Sequence, residues 1–261
     1  MVELKKMMNV VITAAAAGIG KKIAEAFLHQ KARLFICDIS EAAMQDFRGE
    51  FPEIFVQKTD VSNYLEVKSF FDSIKQEVDQ IDVLINCAGI AGPTGKLEEL
   101  EVEAWERCIQ VNINGMFYCL KEGIPLLKQS ESASIINLAS SASFFGFPFR
   151  SPYASAKWAI IGMTKTLAME LGKEGIRVNA ICPGSVNGER IERVIAADAK
   201  EQGKSIEEIR ELYVRQTSLK RFVDPEDVAN LCLYLSSQQA RYISGQAIGL
   251  DGHTEGLSTE I

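Results

Sequence analysis

The sequence predicts an α/β protein: a single-domain, doubly wound parallel sheet of seven strands with helices on both faces. Three observations lead there. Seven short β-branched or apolar runs recur along the 261 residues, and between them apolar residues return at three- and four-residue spacing, one face of a helix. The runs are apolar throughout instead of alternating, which marks strands buried on both faces and hence a parallel sheet clad in helices. No linker, internal repeat or Pro/Gly/Ser-rich tract breaks the alternation, so one domain accounts for the chain, and right-handed crossovers wind it on both sides.

The first run, VVIT at 10–13, leads through a small-residue turn into a helix at 18–30 whose apolar face is Ile23, Ala24, Phe27 and Leu28. Runs follow at 33–37 and 54–59, then a helix with Val67, Phe70, Phe71 and Ile74 on one side. A run at 83–86 precedes a long apolar-faced helix at 101–128, and a run at 134–138 precedes a second at 151–172, where Pro152 suits the first turn. After the run at 177–182 comes a charged stretch, 184–217, holding two plausible helices. It is long for a connection, and long insertions at the carboxyl edge of such a sheet serve as binding lids, which places a lid around 185–217. A helix start at Asp224 and a last run at 246–250 complete the order.

Composition narrows the partners. Apolar residues make up 47% and charged residues 24%, the balance of a globular chain with a large core. A net charge of −7 argues against nucleic acid or an anionic membrane, which need Lys and Arg to neutralise phosphates. The six cysteines (Cys37, Cys87, Cys108, Cys119, Cys182, Cys232) include no Cys-x-x-Cys pair, and with only His29 and His253 beside them they offer no ligand pairs for a structural zinc. Most sit inside apolar runs and read as buried free thiols of a reducing, cytoplasmic compartment. Absence of any Asn-x-Ser/Thr site agrees. Lys5-Lys6 before an apolar stretch and small residues at 15–17 imitates a secretory leader. The stretch breaks into strand, turn and amphipathic helix, so it reads as the first unit of the fold. No 18-residue apolar segment follows, so no membrane span is expected.

Chemistry concentrates in two places. After the first run, Thr13-Ala14-Ala15-Ala16-Ala17-Gly18-Ile19-Gly20 opens a helix. Glycines there let the backbone approach a pyrophosphate, whose charge rests on unsatisfied helical N–H groups. Asp38, twenty residues past Gly18, ends the second run. A carboxylate at that point binds the adenosine ribose and repels a 2′-phosphate, which favours NAD over NADP. A glycine pair alone equally serves tight strand-to-helix packing, and Lys21 and Lys22 read as a solvated face. The second place is Ser140-Ser141 with Ser151-Pro152-Tyr153-Ala154-Ser155-Ala156-Lys157. Tyr153 and Lys157 share a helix face one turn apart. The ammonium stabilises phenolate, bringing an ordinary pKa of about 10 toward neutrality and making proton exchange feasible. Tyr-x-x-x-Lys also arises by chance on many helices; Ser140, at the end of a strand, tips the balance.

These residues resemble the ordered motifs of the short-chain dehydrogenase/reductases: Thr13…Gly18-Ile19-Gly20, Asp60-Val61, Asn86-Cys87-Ala88-Gly89, Asn112, Ser140, Tyr153 to Lys157 and Pro183-Gly184, continuing through Ser244-Gly245-Gln246 and Asp251-Gly252. The resemblance implies a Rossmann fold and a nicotinamide-linked oxidoreductase acting on a small alcohol or carbonyl substrate. It implies Tyr153 as general acid/base, Lys157 as the group that lowers its pKa and binds the nicotinamide ribose, Ser140 as the group that orients the substrate oxygen, and Asn112 as the holder of a relay water. Asp60-Val61 would meet the adenine, and Asn86, Ala88 and Gly89 would floor the cleft. Thr13, Ala14, Gly18, Ile19, Gly20, Pro183, Gly184 and Val186 would complete the cofactor site. Asn112 could also simply kink a long helix, and Asp60 could only cap the next one. A homotetramer, or a dimer, is implied, built on helices 101–128 and 151–172 with the tail 252–261 reaching a neighbour.

Three departures stand out. Ala14 replaces the first glycine of the turn, so a positive φ there strains a Cβ, shifts the turn and weakens cofactor binding. Cys87 replaces a structural asparagine. Gly188 replaces a threonine that bonds the nicotinamide amide or phosphate, a role open to Asn187 or Ser185. Phe144, Phe145, Phe147 and Phe149 suit an apolar substrate wall or plain core. Arg150, Arg190 and Arg193 could meet an anionic or polyhydroxylated substrate, but each reads first as solvated surface. Sugars, polyols, hydroxy acids and steroid-like alcohols stay open. A catalytically silent dinucleotide sensor or scaffold, and a dehydratase or epimerase on the same fold, are the alternatives.

Overall fold

The computed structural model describes residues 7–254. Seven strands, β1 (Asn9–Thr13), β2 (Arg33–Asp38), β3 (Phe55–Lys58), β4 (Val83–Asn86), β5 (Ser134–Leu138), β6 (Arg177–Pro183) and β7 (Ala247–Leu250), form one sheet. Their order is β3-β2-β1-β4-β5-β6-β7 and every pairing is parallel. The seven runs read from the sequence are these strands, with boundaries that differ by a residue or so at several ends. The chain winds outward from β1 to β3, then returns to β4 on the other side of β1. That reversal opens a crevice at the carboxyl ends of β1 and β4, where ligands of such sheets bind.

All-apolar strands feed two cores at once. In β1, Val11 joins Phe35, Leu84, Ile135 and Val178 on one face, whereas Val10 and Ile12 join Leu34, Ile36, Ile85 and Ile136 on the other. The first face is covered by α3 (Tyr64–Glu77), α5 (Gly115–Leu127) and α6 (Ser151–Leu171), the second by α1 (Gly18–His29), α2 (Glu41–Glu50) and α9 (Pro225–Ser236). The period-two alternation of strand side chains thus separates two helix layers although both faces of the inner strands are mostly apolar. The apolar stretch that imitates a leader forms β1, an inner strand of the sheet, and the start of α1; Lys5 and Lys6 lie outside the described residues. Among the described residues, no helix is long and apolar enough to cross a membrane. All six cysteines are free, and burial pushes the thiols of Cys87 up to about 11 and of Cys119 and Cys182 up to about 12.

The long helix expected at 101–128 is divided into α4 (Val102–Ile109), one π-helical turn (Gln110–Asn114) and α5. The extra residue in that turn coincides with Asn112, whose amide donates to Cys108 O at 2.8 Å and Ile90 O at 3.1 Å. Such π turns mark functional positions more often than chance. The charged stretch holds α7 (Glu189–Gln202) and α8 (Ile206–Arg215), the latter started by a Ser205/Glu208 capping box. Ile191, Ile195, Ala199, Ile209 and Tyr213 give this pair its own small core, against which Phe147 packs.

A buried polar ladder ties β4, β5 and α6 together. Asn86 Nδ2 donates to Asn137 Oδ1, and Asn137 Nδ2 donates to Thr164 Oγ1, both at 2.9 Å. Thr164→Val, nearly the same shape, removes the last acceptor and strands the Asn137 amide. Chemical denaturation is expected to show a loss of about 1–3 kcal/mol; an unchanged stability would mean that the ladder contributes nothing.

Candidate active site

The turn after β1 leaves a helix N-terminus open to solvent. Helix α1 begins at Gly18 with Ala17 as N-cap, no side chain satisfies its first N–H groups, and no acidic residue occupies its first turn. Donors left free in this way, at the positive end of a helix dipole, are what a pyrophosphate requires. Ala17 and Gly18 are exposed, and nothing lies within 4 Å of a Cβ placed on Gly18. Gly20 is fixed by close approach, because a Cβ there would stand 2.0 Å from the Ala14 carbonyl oxygen. Ala14 itself sits at φ 52°. The turn therefore does not shift to avoid the Cβ, as the sequence suggested; it keeps the left-handed conformation and carries the strain. Ile19 is half-buried against the α1 side of the core.

Around the turn, side chains bind the strand ends to one another. Thr13 Oγ1 accepts from the N–H groups of Cys87 and Ala88, both at 3.0 Å, joining β1 to β4. Asp38, at the end of β2, accepts from Ala16 N at 3.1 Å and Ser40 N at 3.0 Å, so its carboxylate lies against the turn. Asp60 does not cap the next helix, since Asn63 caps α3 by accepting from Leu65 N at 3.0 Å. Asp60 instead accepts from Ser62 N at 2.9 Å and Ser62 Oγ at 2.6 Å and meets Arg107 Nη2 at 3.2 Å. Burial alone would push its carboxyl up, but these partners hold it below the usual range. Val61 is buried beside the π turn, within 2.9 Å of where a Gly115 Cβ would be. Asn86 gives its Nδ2 to the ladder, while its Oδ1 is buried without a partner.

The second cluster gathers at the carboxyl ends of β4 and β5. Arg150, the residue before α6, and Pro152 in its first turn start the helix, which then presents Tyr153 and Lys157 one turn apart. Lys157 is 4% exposed, and its ammonium donates to the Leu138 carbonyl at 2.8 Å. Ser140 extends β5 and accepts from Ala142 N at 3.2 Å, and its side chain helps to lower the Tyr153 pKa. Gly89 passes so close over Asn112 that a Cβ would be 2.6 Å from its Oδ1. That Oδ1 is buried without a partner, an orphan acceptor that costs about 1–3 kcal/mol. Gly184, after Pro183, fits against Asp251, and Val186 bridges to Val223. Of the two substitutes considered for the missing threonine, Asn187 is engaged with Asp224 Oδ1 at 2.7 Å. Gly188 stands at φ 136°, a backbone state that a threonine would adopt only under strain.

Electrostatics single out the tyrosine. Burial pushes the Tyr153 phenol up, but Arg190, Lys157, the Ser140 side chain and Arg150 together outweigh it, and the net direction is down. For Lys157 burial dominates and lowers its pKa, opposed by Tyr153. Arg150, read from sequence as solvated, corrects that reading, whereas Arg190 is solvent-exposed as read. Arg150 is 2% exposed and its guanidinium lies 5.5 Å from the Tyr153 ring centre; Arg190 is exposed but lies 5.8 Å from the same ring. A signal existed for Arg150, three residues before Tyr153 at the helix start. Arg190 was a candidate for an anionic substrate from sequence, but its contact with Tyr153 comes from the fold. The four phenylalanines divide: Phe147 packs under Arg150 and on the α7–α8 core, whereas Phe144 is partly exposed. Arg193 pairs with Glu189 on the surface.

An uncapped, exposed helix N-terminus at the switch point and a depressed phenol at the neighbouring strand ends together form the candidate site. The family model described as enoyl-(acyl carrier protein) reductase matches residues 13–254. An uncharacterized oxidoreductase of Bacillus subtilis, YxbG, is 36% identical over 93% of this chain and 89% of its own. Dehydrogenase/reductase SDR family member 6 of Rattus norvegicus is 33% identical over 93% and 95%. A solved structure of a variant actinorhodin polyketide ketoreductase with NADPH superposes with a TM-score of 0.89 at 28% identity, covering 94% of this chain and 96% of that one. The chain belongs to the short-chain dehydrogenase/reductase family, and its fold is the one that family uses to bind a pyridine nucleotide.

Ala14→Gly relieves a left-handed alanine at the cost of some unfolded-state entropy. Its unfolding midpoint is expected to rise, by about 0.5–1 kcal/mol of stability; a loss of stability would show that the strain is not there.

Proposed function

We propose that the protein is an NAD-linked alcohol dehydrogenase or carbonyl reductase, moving a hydride between the cofactor and a secondary alcohol or its ketone. The single observation that carries the reading is the Tyr153 phenol, held against Ser140 and driven below its ordinary pKa by the cations around it. For oxidation, Tyr153 as phenolate takes the hydroxyl proton while Ser140 steadies the oxygen; for reduction the phenol returns it. Phenolate forms above the lowered pKa, so oxidation gains as pH rises through it, and reduction is favoured below. Lys157 keeps the phenolate stable and, through the orphaned Asn112 oxygen and a water, connects the proton to solvent. The nicotinamide, when bound, supplies the hydride acceptor or donor.

The residues fit that cofactor. The α1 N-terminus takes the pyrophosphate, with Ala14, Gly18, Ile19 and Gly20 shaping it. Asp38 meets the adenosine ribose, Asp60 and Val61 the adenine, and Thr13, Asn86, Ala88 and Gly89 floor the cleft, while Pro183, Gly184 and Val186 line the nicotinamide end. Asp38 is also the reason for choosing NAD over NADP, although the ketoreductase above was solved with NADPH: a carboxylate beside the ribose repels a 2′-phosphate. One domain carries the whole site, with α7 and α8 as the substrate lid. Exposed Phe117, Trp158 and Met169 on α5 and α6 suit helix-to-helix assembly into a homotetramer or dimer in the cytoplasm; all but the first three residues of the 252–261 tail lie outside the described residues.

Tyr153→Phe is expected to lower turnover about 100- to 10,000-fold while NADH binding, followed by its fluorescence, survives. Near-normal turnover would overturn the assignment. Loss of NADH binding with loss of turnover would point instead to a collapsed cleft.

A further inference from the structure

We propose that the substrate carries a carboxylate close to its reacting carbon, a 2- or 3-hydroxy acid and the matching oxo acid, and that Arg190 pairs with that carboxylate. The inference rests on the oxidoreductase reading above and specifies its substrate class. Three cations surround one phenol: Arg150, Lys157 and Arg190 lie 5.5, 5.6 and 5.8 Å from the Tyr153 ring centre. In a chain of net charge −7 this is a local concentration of positive charge at the reacting end of the cleft.

Lys157 and, in part, Arg150 already have partners, although Arg150 Nε and Nη1 lack a hydrogen bond. Lys157 donates to Leu138 O. Arg150 Nη2 donates to Ala91 O at 2.8 Å and Nη1 faces Asp198 at 3.7 Å, a buried carboxylate that accepts from the Tyr213 hydroxyl. Arg190 differs. On its own helix Glu189 pairs with Arg193 and Glu192 with Arg210, so the carboxylates in the first turn of α7 are taken. Among the described residues Arg190 makes no ion pair, and its one hydrogen bond is a long 3.4 Å contact to Gly89 O. An exposed guanidinium lodged over an aromatic ring, with most of its five N–H donors free, is a fork waiting for a planar anion.

Two anions could reach it, a substrate carboxylate or the cofactor's pyrophosphate. The open α1 N-terminus already suits phosphate. Arg190 stands instead over Tyr153, where the substrate oxygen must sit, which favours the carboxylate.

Calorimetric titration of the NAD+-loaded enzyme with acetoacetate and pyruvate, and with their methyl esters, tests this without turnover. The acids are expected to bind at least ten-fold tighter than the esters. Arg190→Met should weaken the acids on the order of 10- to 100-fold with little change for the esters, and Arg190→Lys should restore part of the loss. Esters binding as well as the acids, no binding of any acid, or an unchanged acid affinity in Arg190→Met would overturn the proposal. So would a weakening of NADH itself in that variant with acid affinity otherwise intact, which would assign Arg190 to the pyrophosphate. Reduction of the esters and simple ketones, read by NADH absorbance, reports separately on the oxidoreductase reading: if these react and the acids neither bind nor react, that reading stands and only the carboxylate fails.

Discussion

A half-buried phenol held beside a buried ammonium is the constraint on which the site depends. Inside a low-dielectric wall a tyrosine would ordinarily hold its proton more tightly than in water, and a lysine would shed its own more readily. Here each opposes the other's penalty: the ammonium favours phenolate, and the phenol favours the ammonium. The Leu138 carbonyl satisfies part of the lysine's hydrogen-bonding demand and aims it, while Ser140 aims the phenol. Removal of any one of these leaves an uncompensated buried polar group, which is why a helix, a strand end and a π turn converge on so small a volume.

Topology makes the convergence possible. Reversal of strand order between β1 and β4 leaves the carboxyl ends of both strands facing one crevice, with the α1 N-terminus at one end and the β5–α6 connection at the other. Thr13 closes the floor by accepting from two N–H groups of the β4 loop, and the Asn86–Asn137–Thr164 ladder carries the same stiffness across to α6. Positioning is thus built from buried hydrogen bonds between elements far apart in sequence, and the strained Ala14 is tolerated because the surrounding strand ends leave the turn no other path.

Most of the architecture was legible because apolar runs and helical periodicity are local properties. The strands, the two helices of the charged stretch and the position of the glycine turn follow from spacing alone. Tyr153 and Lys157 were legible for the same reason, lying one helical turn apart. What escaped reading has a common cause. The π turn depends on where Asn112 finds its acceptors, Asp60 gives up capping because Ser62 and Arg107 reach it, and Arg190 meets Tyr153 only through the fold of α7 over α6. Each is a tertiary contact, and no local pattern encodes it.

Direct titration of the phenol is the most searching measurement. In protein labelled at the tyrosine ring, carbon-13 resonances of the six tyrosines can be followed with pH, and residue 153 identified by its absence from the phenylalanine variant. The account requires that this one resonance titrate clearly below the ordinary value of about 10. Titration at or above that value would mean that the cations around the ring do not overcome its burial, and the proton chemistry assigned to it would fall.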